Sequence, residues 1–231
     1  MPLDFLAFFF TFLKLQLCGL GGISGRTEFL SRFKDKNRAD LTFHALTPER
    51  WTDFERLFGA RGACGGCWCM WWRLKRSEFE RMKGAGNKKA MKAIVDSGEV
   101  PGLIAYLDNE PVGWCSVGPR NRFSALERSR ILKRVDDRPV WSVVCFFIAR
   151  PFRRQGVSAA LLRAAVEYVR ENGGEVLEGY PVEPKKNEMP DAFAWPGLAA
   201  AFVKAGFVEV ARRSETRPIM RYEVAKEGEK S

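Results

Sequence analysis

Residues 150–158 read Arg-Pro-Phe-Arg-Arg-Gln-Gly-Val-Ser and lie where an apolar run gives way to a helical pattern. A helix start carries N–H groups with no intrahelical partner, together with the positive end of the helix dipole. A pyrophosphate needs that combination. Gly156 lets the backbone approach a ligand closely, and Ser158 is small enough not to block it. Arg150, Arg153 and Arg154 add positive charge at the mouth. On spacing alone, one glycine among arginines reads equally as a basic helix start after a proline turn. A second cluster is Cys64-Gly65-Gly66-Cys67-Trp68-Cys69. Thiolates at this spacing are used by zinc and by iron–sulfur clusters. A closed site needs a fourth ligand, to be found among His44, the only histidine, Cys115 and Cys145. No second C-x-x-C follows, so no metal is expected. Cys67 and Cys69 then read as small core residues among Trp68, Met70, Trp71 and Trp72.

The elements that must hold these residues follow from hydrophobic period. Residues 140–148 form an unbroken β-branched and aromatic run, the pattern of a strand buried on both faces. After Gly156, the residues Val157, Leu161, Leu162, Ala165 and Val169 fall on one stripe of a helix, which Asn172-Gly173-Gly174 ends. Residues 176–182 are the next strand. Such a strand–helix–strand unit takes a right-handed crossover and makes its two strands parallel. Upstream, residues 41–46 are a strand and Thr47-Pro48 a helix start, followed by Trp51, Phe54, Leu57 and Phe58 at helical spacing. Residues 77–82 look helical, and Asn87 is expected to cap a helix with Ala90, Met91, Ile94 and Val95 on one face, stopped at Gly98. Residues 103–107 and 112–117 form a hairpin around Asp108-Asn109-Glu110-Pro111. A helix at 198–204 and strands at 207–210 and 218–224 complete one α/β domain with a mixed sheet.

Composition narrows the function. The 231 residues are 46% hydrophobic and 29% charged, which reads as one folded core rather than disorder. Lys and Arg number 38 against 28 Asp and Glu, and the net charge of +10 favours an anionic partner. The excess is scattered, so no nucleic acid is expected, whereas a phosphate-rich cofactor fits. Six cysteines, three of them in one short stretch, do not make a disulfide framework and point to a reducing, cytoplasmic compartment. Residues 1–38 read as an apolar extension and linker, 39–225 as the domain and 226–231 as a charged tail. Asp4 and Lys14 interrupt the apolar run, so contact of residues 1–20 with a membrane surface is not favoured.

In order and spacing these features resemble the GNAT superfamily. Its acetyl-CoA motif, Arg/Gln-x-x-Gly-x-Gly/Ala, stands here as Arg153-x-x-Gly156-x-Ser158, with serine the one departure. The strand before it, the helix, the strand after it and the late Ala205-Gly206-Phe207 all fit. The resemblance implies a GNAT-like mixed, mostly antiparallel sheet with a central parallel strand pair, flanked by helices. It implies an N-acetyltransferase that uses acetyl-CoA as co-substrate and the primary amine of a small molecule as acceptor, by direct attack. Backbone groups of Phe146, Phe147 and Ile148 would then pair with the pantetheine arm, one N–H polarising the thioester carbonyl. The loop Arg153, Arg154, Gln155, Gly156, Val157 and Ser158 would hold the pyrophosphate.

An alkylammonium acceptor must lose a proton before it attacks. Glu178 and Glu183 are candidate bases, with a solvated strand-edge carboxylate as the plainer reading. The family often places a Tyr four residues before the Gly of Gly-Phe to protonate the departing thiolate. Phe202 stands there, so Tyr180 is the substitute candidate, unless the thiolate leaves unassisted. The segment between the first strand and the hairpin walls the acceptor site in the family. That places Trp68, Trp71 and Trp72 near the substrate, with Trp114, Trp141 and Trp195 as additions, although core packing is the plainer reading for most of them. Two alternatives stay open: a catalytically weak acyl-CoA sensor, and a metal-bound regulatory module on Cys64, Cys67 and Cys69. A homodimer is also left open.

Overall fold

The apolar run becomes β5 (Trp141–Ile148), a central strand of the sheet. The computed structural model describes residues 31–33, 41–185, 190 and 193–224. The other strands are β1 (Ser31–Phe33), β2 (Leu41–Ala45), β3 (Gly102–Leu107), β4 (Glu110–Pro119), β6 (Val176–Gly179), β7 (Val208–Arg212) and β8 (Pro218–Glu223). They form one sheet in the order β1-β2-β3-β4-β5-β6-β8-β7. Every neighbouring pair is antiparallel except β5 and β6, which run parallel as the crossover requires. The mixed sheet expected from the residue pattern is therefore the observed one. Asp108 (φ 48°) and Asn109 (φ 65°) both adopt left-handed backbone between β3 and β4, the geometry of a tight two-residue hairpin.

The helices are α1 (Trp51–Phe58), α2 (Arg76–Arg81), α3 (Ala85–Asp96), α4 (Ser124–Glu127), α5 (Val157–Glu171) and α6 (Ala199–Lys204). Strand alternation sends side chains to two separate apolar cores. On β3, Leu103 and Ala105 join the core built with α5 and α6, while Ile104 and Tyr106 join the core built with α1, α2 and α3. The stripe expected on α5 is its buried face, with Leu161, Leu162, Ala165 and Val169 fully enclosed. Each such leucine or valine contributes about 1.5–3 kcal/mol by leaving water. Trp51, Phe54, Leu57 and Phe58 bury the inner face of α1.

Three details differ from the residue pattern. Asn87 lies inside α3 rather than at its cap; Gly84 (φ 78°) takes the cap position, and the buried Asn87 amide donates to the Gly66 carbonyl at 3.1 Å. Within the stretch read as linker, Ser31–Phe33 pairs antiparallel with β2. The strand expected at 176–182 pairs only as far as Gly179, leaving Val182 as a lone bridge to Leu198. The readings made for residues 1–20 and 226–231 lie outside the described residues. Among the described residues no helix is long and apolar enough to cross a membrane.

Candidate active site

The junction of β5 and α5 is a tight curl. Gly156 caps α5 in left-handed backbone (φ 80°, ψ 1°), and Arg154 is also left-handed (φ 59°), which is uncommon for a residue with a β-carbon. Arg153 Nε donates to the Ile148 carbonyl at 3.0 Å, and Gln155 Nε2 to the Pro151 carbonyl at 2.7 Å. The loop is thereby fastened to the end of β5, and the first N–H groups of α5 face outward from it. Among the described residues no other helix follows an arginine pair and a left-handed glycine in this way.

Beside the loop lies a cleft of about 1240 Å³. Arg153, Arg154, Gly156 and Ser158 form one end, Phe146, Phe147 and Ile148 the floor, and Trp195 the other end. Arg61, Ala63, Cys64 and Gly65 face the floor from a turn that the Gly66–Gly84 and Gly66–Asn87 hydrogen bonds tie to α3. The floor is open because β5 and β6 part. Their register ends at Val143 opposite Gly179. Beyond that point Val182 bonds with Gly197 and Ala199, and the Phe146 N–H donates to the Trp195 carbonyl at 2.7 Å. The cleft thus joins a cationic helix start to an extended strand edge over an apolar floor. A phosphate-bearing molecule with a long amide arm fits both its chemistry and its volume.

The other predicted residues are distributed unevenly. Trp71 and Trp72 pack on Trp195, with ring centroids 6.2 Å and 5.7 Å away, and back the cleft end that Trp195 lines. Trp72 Nε1 is buried there with no hydrogen-bond partner among the described residues. Trp68 stacks on Phe58 at 5.7 Å, and Trp114 meets Phe54 edge-on at 4.8 Å; both are buried in the α1 core. Trp141 packs on Tyr168, on the opposite side of the sheet. Glu178 is fully buried in an ion cluster away from the cleft lining. Its Oε1 accepts from Arg120 Nη1 at 3.0 Å and from Tyr180 Oη at 2.6 Å, and its Oε2 accepts from Arg221 Nε at 2.7 Å. The Tyr180 hydroxyl commits its one hydrogen to Glu178 and also accepts from Arg120 at 2.5 Å, so Ser142 Oγ at 2.9 Å is the donor in their contact. Burial, then the Glu178 charge, pushes the Tyr180 phenol well above its ordinary value. Glu183 is exposed and pairs with Arg212 at 2.5 Å. Phe202 is fully enclosed beneath Gly179 and Gly197.

The cysteines do not converge on a centre. Cys64 is exposed on the cleft wall, Cys67 Sγ donates to the Gly62 carbonyl, and the buried Cys69 Sγ accepts from Trp114 Nε1 at 3.2 Å. Contact with Cys69 and burial push the Cys145 thiol well up. Among the described residues no group of three or more His, Cys, Asp or Glu is arranged to hold a metal ion. His44 sits on β2, edge-on to Tyr106 at 5.2 Å. Sequence reasoning misses Arg61, whose only signal is a cation just before a Gly-rich turn, and the pair Arg120 and Arg221, whose partners lie too far along the chain to signal at all.

Residues 68–187 match the model of the Acetyltransferase (GNAT) family. No curated protein matches the chain in sequence. The solved structure of a GNAT family acetyltransferase from Listeria monocytogenes is similar with a TM-score of 0.53 at 9% identity, over 84% of this chain and 99% of that one. RimJ of Mycobacterium smegmatis, solved in complex with CoA-disulfide, is similar with a TM-score of 0.50 at 10% identity, over 84% of this chain and 86% of that one. At these identities the likeness is one of fold.

Proposed function

The chain belongs to the GNAT acetyltransferase family, and from that premise we propose that it moves an acetyl group from acetyl-CoA to the primary amine of a small molecule by direct attack. The observation that carries this reading is the continuity of one surface. Phe146, Phe147 and Ile148 of β5 line one cleft together with Arg153, Arg154 and Ser158 of the curled loop capped by Gly156. Backbone N–H groups of residues 154–158 and the side chains of Arg61, Arg153 and Arg154 supply the cationic end for the pyrophosphate. Phe146, Phe147 and Ile148 offer the arm a strand to pair with. The thioester supplies the activated acyl group. The Phe146 N–H, aimed into the gap between the strands, is the donor for its carbonyl.

Trp195, backed by Trp71 and Trp72, gives the acceptor a partly apolar wall, which suits a small amine. Among the described cleft residues there is no carboxylate, histidine or tyrosine. In this reading the acceptor sheds its proton to solvent, and the thiolate leaves unassisted. Glu178 and Tyr180 serve as a brace holding β6 to β5 where the strands part, rather than as base and acid. The five described cysteines are free thiols, which suits the reducing, cytoplasmic setting of the proposal. A second reading, an acyl-CoA sensor without turnover, draws on the enclosed Phe202. An amine-library screen following thiol release from acetyl-CoA decides between them: release with any amine supports the transferase, and silence across the library with intact acetyl-CoA binding supports the sensor.

A further inference from the structure

We propose that residues 194–198 are a strap that closes the β5 edge when no acyl-CoA is present, with Trp195 as its latch; this rests on the acyl-CoA reading of the cleft. The Phe146 N–H is bonded to the Trp195 carbonyl at 2.7 Å, and it is the same N–H that the thioester carbonyl requires. One N–H does not serve two such acceptors at full strength, so the acyl arm and the strap compete for one place.

The strap is built to occupy that place and to leave it. Parting β5 from β6 would strand backbone groups along both strands, and the strap satisfies them from between. On one side Trp195 takes the Phe146 N–H; on the other, Val182 N donates to Gly197 O at 2.9 Å and Ala199 N to Val182 O at 3.0 Å. Gly197 (φ 87°) lies flush on the floor, where a β-carbon would come within 2.8 Å of Phe202 and 3.0 Å of Phe146. Among the described residues, the α6 end is therefore anchored on the β6 side, and the Trp195 end is held on the β5 side by one backbone hydrogen bond and by its ring. That ring rests on Trp71 and Trp72. Entry of the arm strips Trp195 from Phe146 and shifts the ring along the tryptophan wall. The acceptor wall then takes its working shape only after acyl-CoA is seated.

The test is hydrogen–deuterium exchange on the wild-type chain, with acetyl-CoA and with adenosine 3′,5′-bisphosphate, which has the phosphates but no arm. Acetyl-CoA is expected to slow exchange at 146–158 and to speed it at least threefold at 194–198, the reverse of ordinary ligand protection. The bisphosphate is expected to slow the loop at 154–158 and to leave 194–198 unchanged. Slowing at 146–158 with no acceleration at 194–198 overturns the strap alone. Acceleration by the armless bisphosphate also overturns it. No change at 146–158 with acetyl-CoA overturns the acyl-CoA reading and the strap with it. As a second measurement, Trp195→Ala keeps the carbonyl but removes the ring that holds it in place, and is expected to lower the Kd for acetyl-CoA about fivefold; an equal or higher Kd counts against competition.

Discussion

Replacing Glu178 with glutamine separates a brace from a base. The substitution keeps the shape of the side chain and removes its charge. Arg120 and Arg221, both buried, lose the carboxylate they share at 3.0 Å and 2.7 Å, and the new amide turns a donor toward one of three donors already there. Removing one partner of a buried ion pair costs about 3–5 kcal/mol, because the other charge stays behind. Arg120 keeps Glu127 at 2.9 Å and the Leu132 carbonyl at 2.8 Å, and Arg221 keeps Asp136 at 2.5 Å. Those remaining partners place the loss at the low end, about 3 kcal/mol. For a chain of this size that lowers Tm by about 6–12 °C. Far-UV circular dichroism on heating reads it directly, and acetyl transfer measured well below the new Tm reads the other possibility. A brace loses stability and keeps most of its turnover. An unchanged Tm together with a loss of about 10²–10⁴ in kcat, the scale of general-base catalysis, refutes the reasoning and makes Glu178 the base. Glu183→Gln is the companion: its pair with Arg212 is exposed, so its loss costs less than about 1 kcal/mol.

Acetyl-CoA at a hundredfold excess over its Kd should stabilise the wild type by about 2.7 kcal/mol, a rise of about 5–11 °C. Gly156→Trp, which puts a bulky side chain where left-handed backbone meets the ligand, should abolish that rise in a thermal-shift assay; a retained rise would move the cofactor elsewhere. Cys64 should be the first described thiol to react with a maleimide and should be shielded by acetyl-CoA, while Cys69, Cys115 and Cys145 wait for unfolding; peptide mass spectrometry scores each. Burial raises the phenols of Tyr106, Tyr168 and Tyr180, Tyr168 to about 12. Their folded values lie above the unfolded value of about 10, so the stability they lend is complete below pH 10 and is lost as pH climbs through the raised folded values, about 12 for Tyr168. Phenolate absorbance at 295 nm from these residues should therefore appear together with unfolding, and early titration of all of them in the folded chain would contradict their burial.

Local signals in the sequence were enough for the strand, loop and helix that make the cationic end of the cleft. Period, a left-handed glycine and a Gly-rich stop all act within a few residues, and residues 140–174 fold as their pattern indicates. Asn87 misled because a capping residue and a buried amide look alike in sequence; what distinguishes them is Gly66, twenty-one positions away. The faces of β6 were unreadable for the same reason. Glu178 and Tyr180 turn inward to meet Arg120 and Arg221, 58 and 43 residues from Glu178 along the chain, and no period reports such partners. The tryptophans were legible as a group but not one by one. Trp68 and Trp114 pack among the aromatics of α1, whereas Trp71 and Trp72 back Trp195, the tryptophan that lines the cleft.

The two apolar cores on opposite faces of the sheet also bear on how this enzyme can diversify. Most of the tryptophan wall and the turn bearing Arg61 and Cys64 belong to the α1–α3 side, whereas the helix that starts at Gly156 packs on the other. Substitutions that reshape the acceptor wall disturb packing on one face only, and distant, separately packed sites add nearly independently in their effects on stability. Under the proposed reading, a lineage or a laboratory selection can thus alter the wall around Trp195 across successive generations while the helix that starts at Gly156 is inherited unaltered.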